Sequence, residues 1–302
     1  MEPSWEAADY RAMKDRLDPL ITERAPWLAR AGAWRRPVRR LLDILLDYDR
    51  CIELGQELRD APTEVIMARM AELIVHDVVA TGLENVPRQG PALIVANHPT
   101  GIADGIVLHS LLAPIRPDLY VFANSDILKV MPQMETLIAP VEWREDKRSR
   151  AKTRATMDYV RRATDEGRLG VIFPSGRLAM RRKLSLHERP WMPSAASIAR
   201  KFDLPVIPVN LRARNSSLFY LFDLIHPTLR DITLFHETLN KDRQPFRVTV
   251  GERISPSALP PRAEAGIEML RSMTLALGGR HAPGVSILDA TRVPFRSRHA
   301  WG

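Results

Sequence analysis

Gly90-Pro91-Ala92-Leu93-Ile94-Val95-Ala96-Asn97-His98-Pro99-Thr100-Gly101-Ile102-Ala103-Asp104-Gly105 carries the pattern that decides the fold. Residues 90–96 are apolar and uncharged, as in a core strand, and Pro99 and Gly101 argue against its simple continuation as strand or helix. The polar residues therefore fall at a strand end, where α/β proteins usually place their sites.

His98 and Asp104 are the chemically informative pair. A histidine titrates near neutrality, and a carboxylate on one ring nitrogen fixes the tautomer while the other nitrogen takes a proton. That is the equipment of a base that activates a hydroxyl. Six residues of regular helix would turn the chain by about 600°, so the pair meets only if Pro99-Thr100-Gly101-Ile102-Ala103 bends as a loop. The competing reading makes His98 a helix cap and places Asp104 in the first helical turn, favoured there by the helix dipole.

The 302 residues include 44 Lys and Arg against 36 Asp and Glu, a formal charge of +8, and 45% are hydrophobic, enough for a sizeable core. The one cysteine, Cys51, falls in a predicted helix, which fits a reducing compartment and gives no Cys-based metal site. The acidic start Met1-Glu2-Pro3-Ser4-Trp5-Glu6 lacks a signal-peptide pattern. The longest uncharged stretch, Gln89 to Ala103, is too short to span a bilayer. The net charge points to an anionic partner, and with 6% aromatic residues and no basic-aromatic module, nucleic acid is not expected. The expected setting is cytoplasmic, with peripheral attachment to the cytoplasmic face of the inner membrane.

Residues 1–72 read as a helical segment. Pro37 stands at a helix N1-like position, followed by apolar residues at 38, 41, 42 and 45. Trp27, Leu28, Trp34, Arg35, Arg36, Arg39 and Arg40 form a tryptophan-and-arginine cluster. The segment is either a helix lying on an anionic membrane surface or an ordinary helix covering the domain behind it. From 73 to 279 strands alternate with helices. Candidate strands are Leu73–Val79, Ala92–Ala96, Leu119–Ala123, Gly170–Phe173, Val206–Asn210 and Arg247–Gly251, with amphipathic stretches at Arg150–Arg162 and Ser194–Lys201. The fold class is α/β, a mixed and largely parallel central sheet flanked by helices. The tail 280–302 has no clear periodicity and reads as poorly ordered.

A second constellation is Val171-Ile172-Phe173-Pro174-Ser175-Gly176-Arg177, a strand running into a turn, with Arg181, Arg182 and Lys183 beyond it. Such a turn offers N–H groups and guanidinium groups to an anion. Residues 141–183 hold thirteen Lys and Arg against six Asp and Glu, nearly the whole charge excess. Trp143-Arg144 opens this block. Most of its cations, among them Arg161, Arg162 and Arg168, read as a solvated helix face.

Gly82-Leu83-Glu84-Asn85-Val86-Pro87, the Asn97-His98 loop with Asp104, Trp143-Arg144, Phe173-Pro174-Ser175-Gly176 and Val206-Ile207-Pro208-Val209-Asn210 together resemble the ordered blocks of the glycerolipid acyltransferase family, which includes the lysophosphatidate acyltransferases. The resemblance runs from about residue 73 to 255 and lies in the order of the blocks. It implies acyl transfer from acyl-CoA or acyl-carrier protein to the hydroxyl of a lyso-lipid, with no covalent acyl-enzyme, no metal and no cofactor beyond the donor. His98 would deprotonate the acceptor and Asp104 would orient it. Asn97, Thr100, Gly101, Arg144, Ser175, Gly176 and Arg177 are the substrate-binding candidates. Backbone N–H groups near Ser175 and Gly176 would hold the oxyanion or the head group, and Arg144 and Arg177 an acceptor phosphate or carboxylate.

The chain departs from the commonest family pattern in two places. Five residues separate His98 from Asp104 instead of four, as in a subgroup resembling the hemolysin-like and ornithine-lipid acyltransferases. The Phe-Pro-Glu-Gly-Thr-Arg block of phosphatidate-forming members is here Phe173-Pro174-Ser175-Gly176-Arg177-Leu178, without the glutamate. Arg212-Ala213-Arg214-Asn215-Ser216-Ser217-Leu218-Phe219-Tyr220 also resembles that subgroup, so an amino-acid-containing lyso-lipid competes with a lysophosphatidate-like acceptor.

Other classes fit less well. A serine hydrolase using Ser175 lacks the Gly-x-Ser-x-Gly elbow. His236-Glu237-Thr238-Leu239-Asn240 stops short of a zinc-binding His-Glu-x-x-His and reads as a loop. His76, His109, His187 and His226 have no evident partners in sequence. The alternative from another class is a non-catalytic basic protein docking on anionic membrane through residues 27–40 and Leu218-Phe219-Tyr220-Leu221-Phe222.

Overall fold

The computed structural model describes residues 7–24, 35–142, 149–241, 244–279 and 284–287. The N-terminal part is helical: α1 (Ala7–Arg24), α2 (Arg35–Leu45), α3 (Tyr48–Glu57) and α4 (Thr63–Ile74). There follow β1 (Val78–Thr81), β2 (Ala92–Ala96), α5 (Ile102–Leu112), β3 (Tyr120–Asn124), α6 (Ile127–Val130), β4 (Ile138–Val141), α7 (Arg150–Asp165) and β5 (Leu169–Ile172). The remainder is β6 (Met180–Arg182), β7 (Ser185–His187), α8 (Ser194–Lys201), β8 (Val206–Arg212), α9 (Ser217–Ile225), α10 (Pro227–Leu239), β9 (Phe246–Val250), α11 (Ala263–Ala276) and β10 (Gly284–Ser286).

Strand β2 is central in a seven-stranded sheet of order β1-β9-β8-β2-β5-β3-β4. Neighbours run parallel except β8 and β9. All five residues of β2 are buried. Side chains alternate across a strand, so Ala92, Ile94 and Ala96 enter one core while Leu93 and Val95 enter the other. Burial on both faces is why the strand reads as an unbroken apolar run. The first core also takes Met13, Leu17, Ile52 and Ile66 from α1, α3 and α4, and the second takes Val160, Ile198 and Leu270 from α7, α8 and α11. The mixed, largely parallel sheet expected from the sequence is present, and the described helices before residue 73 share its core.

Four expectations need correction. The strand expected at Leu73–Val79 starts only at Val78, because Leu73 and Ile74 close the last turn of α4. Strand β4 was not expected, since Pro140 interrupts its apolar run, but it lies at the sheet edge, where a missing N–H donor is tolerated. Within the tail, Gly284–Ser286 pairs antiparallel with β7 and completes a small sheet with β6. The free edge of the β6–β7 hairpin supplies the partner, and three residues are too few to show a period. His236–Leu239 belongs to α10 and is no loop, Glu237 being buried against Lys241 at 2.7 Å.

Arg168 also leaves its expected place on a solvated face. Its guanidinium donates to the carbonyl oxygens of Asp118, Leu119 and Thr136 and packs over the Tyr120 and Tyr159 rings. Arg161 and Arg162, by contrast, are exposed on α7.

Candidate active site

Because β2 and β5 are adjacent and parallel, the segments leaving their C-terminal ends adjoin. His98 follows β2 and Phe173 follows β5, and their rings stack with centroids 4.3 Å apart at 25°. The Ala179 N–H donates to the His98 carbonyl oxygen at 2.9 Å, tying the two segments a second time.

The bend at Gly101, with φ +96°, starts α5 at Ile102 and puts Asp104 in its first turn. A side chain at Gly101 would be strained by that φ, and its Cβ would lie 2.9 Å from Leu178 Cδ2. Asp104 Oδ2 accepts the Thr100 and Gly101 N–H groups at 2.8 and 3.0 Å, and Oδ1 accepts the Thr100 hydroxyl. The same Oδ2 lies 2.9 Å from His98 Nδ1. The pair thus meets across the bend while Asp104 also anchors the helix start; Gly101, not His98, stands at the cap. The Nδ1–H direction misses the oxygen, leaving Nδ1 without a well-aligned hydrogen bond, the loose geometry common in unliganded catalytic pairs. Asp104 is fully buried, while the His98 side chain keeps 19% of its surface exposed.

Several binding candidates also bond the surrounding scaffold. The Asn97 amide bridges β2 to β8, donating to the Leu211 carbonyl oxygen at 2.8 Å and accepting its N–H at 2.7 Å. Thr100 is buried and spent on Asp104. The Ser175 hydroxyl donates to the Arg177 carbonyl oxygen at 2.8 Å. The Gly176 N–H closes the turn onto Phe173 O at 2.9 Å, so it is not on offer to an oxyanion. Gly101, Gly176 and Arg177 do line the cavity that opens at His98. Trp143 and Arg144 lie outside the described residues, as do Trp27, Leu28 and Trp34.

Three features were not legible in the sequence. The buried Glu188 carboxylate accepts the His98 N–H at 3.2 Å and the Trp191 indole N–H at 2.9 Å. Arg189 donates from Nε to the Leu178 carbonyl oxygen at 2.9 Å and lines the cavity beside Arg177, Arg181 and Arg230. Asp223 bridges Arg181 and Arg230 at 3.0 and 3.2 Å, whereas Arg189 has no carboxylate at ion-pair distance among the described residues. Burial, with the Arg230 and Arg177 charges nearby, lowers the Arg189 pKa. Behind Asp104, a buried network joins Lys241 Nζ to Glu237 at 2.7 Å and to Asn215 Oδ1. Burial pulls the lysine pKa down, while Glu237 and Asp104 push it up.

The cavity has a volume of about 830 Å³, within the roughly 300–1,000 Å³ of ligand sites. Its lining brings His98 and the arginines together with Leu17, Leu54, Met67, Ile106 and Val121 of α1, α3, α4, α5 and β3, with Glu23, Asp126 and Glu142 among them. Among the described residues no group of three His, Cys, Asp or Glu side chains is placed to hold a metal.

Residues 77–212 match the family model described as Acyltransferase. A lyso-glycine lipid O-acyltransferase of Phocaeicola vulgatus is 23% identical over 211 residues, 67% of this chain and 74% of that protein. A second protein of that description, from Bacteroides thetaiotaomicron, is 26% identical over 170 residues, 56% of this chain and 57% of its own length. The solved 1-acyl-sn-glycerophosphate acyltransferase PlsC of Thermotoga maritima overlays 79% of this chain and 94% of its own, at 14% identity and a TM-score of 0.47. The chain is thus similar to glycerolipid acyltransferases, through residues 77–212 above all. It is therefore an enzyme of acyl transfer, which sets aside the docking-module alternative.

Proposed function

We propose that the protein moves a fatty acyl group from acyl-CoA or acyl-carrier protein to the hydroxyl of a lyso-lipid whose head group carries an amino-acid carboxylate. The observation that carries this reading is the His98–Asp104 pair, with His98 lining a largely apolar cavity that also takes in Arg177 and Arg189. His98 Nε2 takes the proton of the acceptor hydroxyl, whose oxygen bonds to the thioester carbonyl carbon. The C–S bond then breaks, and the departing thiolate recovers the proton from the imidazolium. Asp104 fixes the tautomer and balances the transient charge. The cleft arginines favour the developing oxyanion electrostatically.

Arg189 and Arg177, with Arg144 on sequence grounds, are the head-group ligands in this reading. One guanidinium without a carboxylate partner suits one planar carboxylate, which it grips through two parallel N–H bonds. The acceptor's own chain has the bilayer to lie in, whereas the donated chain arrives from a soluble carrier and needs cover. The apolar lining of the cavity is accordingly assigned to the donated chain.

No described helix is long and apolar enough to cross a membrane. Helix α2 buries Leu42 and leaves Leu41, Ile44 and Leu45 exposed on one stripe, and α9 exposes Leu221, Leu224 and Ile225 at the same helical spacing. These stripes suit peripheral attachment to an anionic, cytoplasmic membrane face. The reading is tested with a panel of lyso-lipids bearing glycine, ornithine or phosphate head groups, offered with acyl-CoA and acyl-carrier protein. His98→Ala should lower turnover by about 10²- to 10⁴-fold. A folded His98→Ala protein turning over normally would refute it.

A further inference from the structure

The turn after β5 lacks the glutamate of the phosphatidate-forming members, yet a carboxylate stands beside it. Glu188 lies 13 positions beyond Ser175 in the sequence, in the segment between β7 and α8. One of its oxygens accepts the His98 amide N–H at 3.2 Å, and the other accepts the Trp191 indole N–H at 2.9 Å. The Ser175 hydroxyl also bears on this carboxylate. Around it, the Met192 N–H bonds the Pro174 carbonyl oxygen, and Arg271 of α11 reaches the carbonyl oxygens of Glu188 and Arg189. The carboxylate is thus clamped, buried, between the histidine loop and the Phe173–Gly176 turn.

Building such a group is costly. A buried carboxylate without an ion-paired cation loses its hydration, and only strong donors aimed at it offset that loss. No salt bridge from Glu188 is formed among the described residues. An apolar side chain would fill the space without that penalty, so the charge itself requires an explanation.

We propose that Glu188 is a second carboxylate partner of His98, a positioning residue that holds the histidine loop against the Phe173–Gly176 turn and stabilises the imidazolium formed during transfer. The proposal rests on His98 acting as the base. Asp104 meets the ring at Nδ1, and Glu188 adds negative charge from the side of the His98 backbone amide. Burial raises the Glu188 pKa, while the Trp191 and His98 N–H bonds, the His98 charge and Ser175 oppose that rise. The other charged groups around the pair are Arg177 after β5, Arg189 beside Glu188, Arg271 from α11, the Lys241–Glu237 pair behind Asp104, and Asp223 between Arg181 and Arg230. Cations predominate among them, so Glu188 counters a field that would otherwise disfavour a positive histidine.

Glu188→Gln keeps the size and the acceptor oxygen but removes the charge. In the full-length protein, kcat should fall about tenfold, with the acceptor KM within about twofold, and the acidic limb of the kcat/KM profile should move to lower pH by about half to one unit. Glu188→Asp, which keeps the charge on a shorter stem, should hold the limb near its wild-type position. A Glu188→Gln protein with wild-type kcat and profile would overturn the proposal. So would a loss of rate with an unmoved limb, or an amide that unfolds the chain, since the role would then be architectural. His98→Ala run in parallel separates the two readings. If it stays active, the base assignment falls; if it is dead while Glu188→Gln is unaffected, only the present inference falls.

Discussion

Gly105 gives the most direct test of what the cavity holds. It follows Asp104 on α5 and lines the cavity, and a Cβ built on it meets no atom within 4 Å. Alanine at this position fills empty space and removes the entropic penalty of a helical glycine, so Gly105→Ala should raise stability by up to about 1 kcal/mol and leave transfer intact. Leucine adds a branched side chain equivalent in size to about three or four methylenes, directed into the space assigned to the donated chain. Each buried methylene contributes about 0.8 kcal/mol. Displacing three therefore costs a long donor about 2.4 kcal/mol, a drop of roughly 60-fold in kcat/KM.

The assay is a donor series from short to long acyl chains against one acceptor, comparing wild type, Gly105→Ala and Gly105→Leu. The leucine variant should lose activity on long donors and keep it on short ones, while the alanine variant follows wild type. Thermal unfolding of each variant checks that the fold survives. A folded Gly105→Leu enzyme with the wild-type chain-length profile would refute the assignment of the cavity to the donor. A shift in acceptor chain preference instead would place the acceptor tail there.

Arg189→Ala and Arg177→Ala should raise the acceptor KM for a carboxylate-bearing lyso-lipid, and lysine should rescue poorly because it lacks the bidentate fork; Arg161→Ala, exposed on α7, should do little, and equal effects at all three would mean diffuse electrostatics. Arg116 is 2% exposed and pairs with Asp118 at 2.7 Å, and this bond holds the Asp118 carboxyl below its ordinary range. A depressed carboxylate stabilises above its unfolded pKa, near 3.9, and loses that contribution as pH falls through the folded value. Asp118 is itself 36% exposed, so after screening Asp118→Asn should cost only about 1–2 kcal/mol at pH 7; urea unfolding should show the difference shrinking below about pH 4, and a constant difference down to pH 3 would contradict the pairing. Leu41→Ala with Ile44→Ala on the exposed stripe of α2 should weaken sedimentation with anionic liposomes by roughly tenfold or more while shifting stability by less than about 0.5 kcal/mol each; unchanged binding would remove α2 from the membrane contact.

The parts of the structure that were legible in the sequence are those whose cause is local. Strand β2 shows itself because burial on both faces forces an uncharged run, and that run must end in polar residues where the chain leaves the sheet, which exposes His98. Helices Arg150–Asp165 and Ser194–Lys201 follow from apolar spacing within their own residues. Asn97 and Thr100 show a related limit of local reading: a polar residue in a site loop also bonds its own scaffold, and sequence does not show that Leu211 and Asp104 are the partners. What stayed hidden depends on strand order. Glu188 is 90 positions from the amide it accepts, and Lys241 meets Asn215 across a gap of 26. The cavity is likewise a space between helices distant in the chain, with no residue pattern of its own. The β2–β5 adjacency brings these pieces together, and it turns a histidine loop with one visible carboxylate into a site where the imidazole is stacked on Phe173, with Asp104 at its ring nitrogen and Glu188 on its backbone amide.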